Sequence, residues 1–252
     1  LRAAFVVRGS LLAGRFAQGC RPEPGGRGNG CSDDGQSIAE LHQAGGGDQR
    51  DDDDRDNDTG GGVADDGSID DTARVAQTAG ATVVRSKLNQ GAGNATRLCF
   101  QIARDRNADV LITIDADGQH NAEEIPSVVA PIFDQGADLV IGSRFIEYAG
   151  EIPRYRRFGI RIITLLLNLA FKVKISDSQS CFRAYSKRAI ENLNITEKGF
   201  GFSIETLVQA RRQGLVIKEV PISCVYNEHS HSLNPLVHGL QIALSVVRLR
   251  LK

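Results

Sequence analysis

The stretch that most constrains this chain is Val110–Gln119, VLITIDADGQ. Its first half is apolar at consecutive rather than alternate positions. A strand with that pattern is covered on both faces, as in a parallel sheet layered between helices. The surrounding chain agrees. ATVVRS reads as a short strand, and NQGAGNATRLCFQIARDRN as a glycine loop opening an amphipathic helix. AEEIPSVVAPIFDQG reads as a helix and ADLVIGSRF as another strand. Alternating strands and helices predict an α/β, Rossmann-like fold with a mostly parallel central sheet flanked by helices. In such sheets ligands bind beyond the C-terminal strand ends.

The apolar run breaks off at such an end, in Asp115-Ala116-Asp117. Residues two apart in an extended segment point to the same side. Asp115 and Asp117 therefore aim at one point, joined by Gln119 if the extended path continues. Their oxygens suit a hard divalent cation, Mg²⁺ or Mn²⁺, which commonly shares its remaining positions with phosphate oxygens. The alternative reading of the triplet alone is a pair of turn-forming aspartates before Gly118.

Residues 1–62 differ from the rest. They hold more than half of the 27 glycines, an acidic run at Asp51–Asp58, and no sustained periodicity apart from a short helical pattern at SIAELHQA. Such composition buries too little apolar surface to offset chain entropy, so this segment is expected to be low-complexity or aberrant and disordered. The acidic run lacks the glycine and closing glutamate of a calcium loop. LRAAFVVRGSLLAGRFAQGC resembles a signal peptide only loosely, because Arg8 and Arg15 interrupt it. The absence of Met suggests a fragment, a processed chain or a non-standard start.

A net charge of -1 argues against a general nucleic-acid partner. Five dispersed cysteines without a CxxC pair suggest reduced thiols and no zinc site. No stretch reaches the ~18 apolar residues of a membrane span. Two basic amphipathic helices are expected near 154–173 and 235–252, suited to a membrane interface, a buried core position or a dimer contact.

VADDGSIDDT, NQGAGNA, ITIDADGQH, VIGSRF and DSQSCFRAY occur in that order at domain-scale spacing. With this set the chain resembles glycosyltransferase family 2, in particular its polyprenyl-phosphate (dolichol-phosphate) mannosyl- and glucosyltransferases, from about Val63 to the C-terminus. The resemblance implies a GT-A fold over 63–252 and a nucleotide-sugar donor of the GDP-mannose or UDP-glucose type. It also implies a divalent metal, inversion at the anomeric carbon, and a polyprenyl phosphate acceptor met at the cytoplasmic face of a membrane.

The same resemblance assigns roles. Asp65 and Asp66 would contact the donor's base or ribose, or else sit as an acidic cluster at a helix N-terminus. Gly91 and Gly93 would shape a loop near the nucleotide. Asp117 would ligate the metal with Gln119, and Asp115 would either join them or hold the donor sugar. His120 is expected in a capping or supporting role. Arg144 would meet a phosphate or the acceptor, and the alternative for it is a surface salt bridge. Arg157 and Arg161, one helical turn apart, would share the lipid phosphate. Asp177, Gln179 and Arg183 lie in the acceptor-side loop, and Glu205 falls where many members carry an acidic catalytic residue. A hydroxyl acceptor would need a base there. A phosphate monoester, with a second pKa of about 6, is already largely ionised.

Two departures stand out. Cys181 replaces a small glycine, which crowds or strains the acceptor-side loop. The opening strand and Pro-Ala-Tyr-Asn-Glu-like motif of the family are not recognisable in residues 1–62. A frameshifted, wrongly started or degenerated N-terminus is therefore expected, with one or two strands missing. Three functions stay open: a polyprenyl-phosphate hexosyltransferase, a transferase acting on a glycan hydroxyl, and an inactive GT-A-like binding protein. The donor base and sugar, the lipid length and the oligomeric state are not fixed by the sequence.

Overall fold

The computed structural model describes residues 61–147 and 152–225, the backbone of residues 3–9, and the two positions Ser245 and Arg248. The strands are β1 Ala3–Gly9, β2 Gly61–Asp65, β3 Thr82–Arg85, β4 Val110–Asp115, β5 Leu139–Ser143, β6 Arg183–Ser186 and β7 Ile217–Pro221. The helices are α1 Thr72–Thr78, α2 Ala92–Asp105, α3 Ile125–Gln135, α4 Arg154–Phe171, α5 Lys187–Asn192 and α6 Phe202–Arg212.

The strands form one sheet in the order β3-β2-β1-β4-β6-β5-β7. All pairings are parallel except those of β6, which runs antiparallel between β4 and β5. The run VLITID is consecutive in apolar character because the sheet is covered twice. Leu111 packs into one layer with Phe100, Leu167 and Leu207. Val110, Ile112 and Ile114 pack into the other with Val128 and Ala76.

One expectation is corrected here. Ala3–Gly9 is not a strandless tract: it pairs in parallel with β2 on one side and β4 on the other. The order of connection reverses at this strand, which makes its C-terminal end the switch point where α/β sheets bind ligands. Gly9 lies opposite Asp65 and Arg8 opposite Asp115. The two acidic strand ends therefore flank β1, roughly 10 Å apart at two strand spacings. The expected disorder of residues 10–60 lies outside the described residues.

In sequence, β6 reads as the continuation of a loop. Its antiparallel direction puts Arg183, its first residue, at the same sheet edge as the C-terminal ends of β4 and β5. The DSQSC segment thus drops onto the edge that carries Asp115 and Arg144.

Candidate active site

Asp65 is fully buried at the end of β2. Its Oδ1 accepts from the Ser68 N–H at 2.8 Å. Arg85 Nε approaches Oδ2 at 3.1 Å, but without hydrogen-bond geometry, so this buried oxygen keeps an unused acceptor position. Ser68 and Arg85 also line an open cleft with Gly67, Ile69, Ser86 and Lys87. Asp65 reaches that cleft only through Ser68 and Arg85.

Asp66 faces the other way. Its Oδ2 accepts from Gln90 N–H at 2.9 Å and Gly91 N–H at 2.6 Å, and its Oδ1 from Asn94 Nδ2 at 2.7 Å. The carboxylate expected to touch the donor instead pins the glycine loop to β2. Gly91 has φ +98, and a Cβ there would lie 2.7 Å from the Lys198 carbonyl oxygen. Gly93 is tighter still, with a Cβ only 1.9 Å from the Glu197 carbonyl oxygen, and its N–H donates to Lys198 O at 2.8 Å. These glycines let two backbones meet.

Glu205 completes that contact. It is buried in the first turn of α6. Its Oε2 accepts from the N–H groups of Thr196 at 2.9 Å and Glu197 at 3.0 Å, and its Oε1 from the Thr196 hydroxyl. The residue expected as a catalytic acid or base anchors the 196–198 loop. The C-terminal segment reaches the same place: Arg248 comes within 4.0 Å of Glu197 Oε1, and a Cβ on Gly201 would lie 2.7 Å from Ser245 Oγ. The remainder of the helix expected at 235–252 lies outside the described residues.

On the acceptor side, Arg144 and Asp177 hold each other. Arg144 Nε donates to Asp177 Oδ2 at 2.7 Å and Nη2 to Oδ1 at 2.9 Å. Oδ1 also accepts from the N–H groups of Gln179 and Ser180, each at 3.1 Å. Burial alone would raise the Asp177 carboxyl, but the Arg144 charge and these donors hold it below the usual carboxylate range. The salt bridge of Arg144 is a buried one, not the surface pair that is the alternative for it in sequence. Arg183 is likewise internal: fully buried, it donates to the carbonyl oxygens of Ser178, Ser180 and Ser203 at 2.9, 2.8 and 3.3 Å. It clamps the loop from beneath.

Asp115 and Asp117 remain only half-buried at the end of β4. Gly118 turns the chain with φ +69, so the extended path does not continue to Gln119. The Gln119 N–H instead donates back to Asp117 Oδ1 at 3.1 Å, and its carbonyl accepts from Val225 N–H at 2.9 Å. The two carboxylates, with no thiolate beside them, fit Mg²⁺ or Mn²⁺. Among the described residues no group of three or more His, Cys, Asp or Glu forms an all-protein cage. An ion on Asp115 and Asp117 would complete its shell from water and ligand oxygens. Burial pushes His120 beside them down to about 4, even though Asp115 and Asp177 lie near. It is a neutral ring at pH 7, packed against Phe182, consistent with a supporting role.

Arg161 on α4 stacks over Phe145 at 5.6 Å. Tyr155, Phe158, Ile162, Leu165, Leu166 and Leu169 expose their side chains along the same helix, while Ile163, Leu167 and Phe171 face the core. The helix is apolar on both sides. Among the described residues no helix is long and apolar enough to cross a membrane. Sequence reasoning misses Arg85, Asn94 and Glu219. Glu219 reads only as a strand residue, and nothing local marks it as the anchor of Ser176 and Asp177.

A cleft beyond the ends of β2 and β3, paired aspartates at the end of β4 and a clamped loop at the same sheet edge make up the candidate site. The chain covers 99% of itself in overlay with a Mycobacterium tuberculosis glucosyl-3-phosphoglycerate synthase solved with Mn²⁺, uridine diphosphate and phosphoglyceric acid. The overlay covers 78% of that chain, with TM-score 0.67 and 18% identity. This establishes the GT-A fold. Residues 62–193 match the sequence model of glycosyl transferase family 2. The chain is 32% identical over 180 residues to an undecaprenyl-phosphate mannosyltransferase of Micrococcus luteus, covering 68% of this chain and 73% of that one. It is 31% identical over 187 residues to a dolichyl-phosphate hexose transferase of Haloferax volcanii, covering 74% and 79%. The protein belongs to glycosyl transferase family 2 and is a glycosyltransferase of that family.

Proposed function

We propose that this enzyme transfers a hexose, with inversion, from a nucleotide-diphosphate sugar to a polyprenyl phosphate at the cytoplasmic face of a membrane. The observation that carries this reading is the state of the acceptor-side carboxylates. Glu205 and Asp177 both spend their oxygens on the protein's own donors. A glycan hydroxyl would need one of them as a base. A lipid phosphate is already an anionic nucleophile near neutral pH and needs none. The names of the relatives point the same way.

In this reading Asp65 supports the base or ribose in the cleft beside Ser68 and Arg85. Asp115 and Asp117 hold Mg²⁺ or Mn²⁺, which when bound neutralises charge on the departing diphosphate. The Arg144–Asp177 pair fixes the wall opposite, and Arg157 and Arg161 draw the lipid phosphate toward it. The outer face of α4 rests in the headgroup region, so that a phosphate on a lipid arrives at the site edge. The alternative of an inactive binding protein rests on a damaged N-terminus; the pairing of β1 with β2 and β4 speaks against a missing strand, while the opening motif is still not recognisable there.

The test is calorimetric titration with UDP and GDP, each with and without Mn²⁺, on the wild type and Asp117→Ala. Metal-dependent binding of one nucleotide, lost in the variant, is expected. Hexose transfer to undecaprenyl phosphate follows with the matching donor. Transfer to glycan hydroxyls in place of the lipid phosphate would overturn the acceptor assignment.

A further inference from the structure

Glu219 lies on β7, outside every motif that carries the family resemblance. Its carboxylate collects three donors from one short stretch of the α4–β6 connection. Oε2 accepts from the Ser176 N–H at 2.7 Å; Oε1 accepts from the Asp177 N–H at 3.0 Å and the Ser176 hydroxyl at 3.1 Å. The Ser176 hydroxyl is also 2.6 Å from that of Ser143, whose oxygen accepts from the Phe145 N–H at 3.2 Å.

Two branches therefore leave Glu219. One passes through Asp177 to the guanidinium of Arg144. The other passes through Ser176 and Ser143 to Phe145, whose ring lies under Arg161. Both end on arginines that the proposed function puts at the acceptor phosphate. The chemistry of the anchor is specific. Two adjacent backbone N–H groups and a hydroxyl converge on it, and only an ionised carboxylate offers acceptors at every position. A glutamine would turn an NH₂ toward at least one donor. Burial pushes the Glu219 carboxyl up, the donors from Ser176 and Asp177 pull it back, and the Asp177 charge adds to the rise.

We infer that Glu219 is a positioning residue for the acceptor side: it sets the Ser176–Ser180 loop, and through it Arg144 and Arg161, without touching either substrate. This rests on the polyprenyl-phosphate reading above. The test compares full-length wild type, Glu219→Gln and Ser176→Ala. Two quantities are read: UDP and GDP affinity in Mn²⁺ by calorimetry, and transfer kinetics with varied undecaprenyl phosphate in detergent micelles. Glu219→Gln should keep nucleotide affinity within about twofold and raise the acceptor KM about tenfold, the scale of a lost charge-assisted hydrogen bond. Ser176→Ala keeps both backbone donors but opens the second branch, and should raise the acceptor KM by a smaller factor, about threefold.

Wild-type kinetics in Glu219→Gln would overturn the inference, as would an equal fall in nucleotide affinity and transfer. If Glu219→Gln does not fold, Ser143→Ala combined with Ser176→Ala cuts the second branch. That variant should raise the acceptor KM alone, and an unchanged KM would overturn the inference. Absence of wild-type transfer to undecaprenyl phosphate would instead sink the functional reading. Hydrogen exchange then still decides on the anchor: the Ser176 and Asp177 amides should exchange faster in Glu219→Gln while β4 amides stay protected, and equal protection at both places overturns it.

Discussion

At the scale of single residues, Asp177 has five donors on two oxygens and no exposed surface. Such a carboxylate holds the loop and the Arg144 guanidinium in place. Asp177→Asn leaves the buried Arg144 guanidinium uncompensated and should destabilise the fold by about 3–5 kcal/mol in denaturant melts at pH 7. The pH dependence has a definite sign. The folded carboxyl lies below its ordinary 3.8, so its contribution is fully present above that value and is lost as pH falls through the lower, folded value. The gap between wild type and Asp177→Asn should therefore narrow only below about pH 4. Gly93→Ala tests the opposite kind of residue. A methyl 1.9 Å from Glu197 O must push the facing loops apart, and a loss of about 1–3 kcal/mol is expected, with nucleotide affinity falling alongside.

Residue types at the site were legible in the sequence, but their directions were not. Asp66 turns to Asn94, Glu205 to Thr196, and Asp177 to Arg144. Each partner comes from a different element, and a carboxylate looks the same in sequence whether it faces a ligand or an amide. At Gln119 the reason is different: the left-handed Gly118 ends the extended path that alternation assumed.

At the scale of elements, α4 combines a buried edge with an exposed row that includes Phe158, Leu165 and Leu169. Hydrophobicity made the helix legible. It did not show which side faces the core, because an amphipathic pattern is blurred when both faces are apolar. The exposed row predicts a separable function. Phe158→Glu combined with Leu165→Glu and Leu169→Glu should cut co-sedimentation with anionic vesicles by about tenfold or more, since apolar area drives interfacial binding. Thermal stability and nucleotide affinity should hold, because surface changes of this kind usually move stability by under about 0.5 kcal/mol each. Unchanged vesicle binding would show that this face serves another purpose.

At the scale of the whole molecule, the sheet depends on its most distant piece of chain. β1 is separated from β2 by more than fifty residues, and the segment following it carries none of the family's opening motif. From sequence AAFVVRG is one short apolar run in a glycine-rich stretch, and only the unfilled place between β2 and β4 reveals its role. That place is costly to empty. The backbone groups of β1 pair on both sides, and without them β2–β3 would stand roughly 10 Å from β4 with two unpaired edges. The cleft at Asp65 and the pair at Asp115 and Asp117 lie on opposite sides of that gap, so they would lose their common frame. A chain lacking residues 1–9 should show no cooperative thermal transition by circular dichroism and should elute as aggregate in size-exclusion chromatography. Nucleotide binding should vanish with it. A truncated chain that melts and binds like the full one would mean that β1 contributes neither to the sheet nor to the switch point, and the site would then have to be rebuilt around β4 alone.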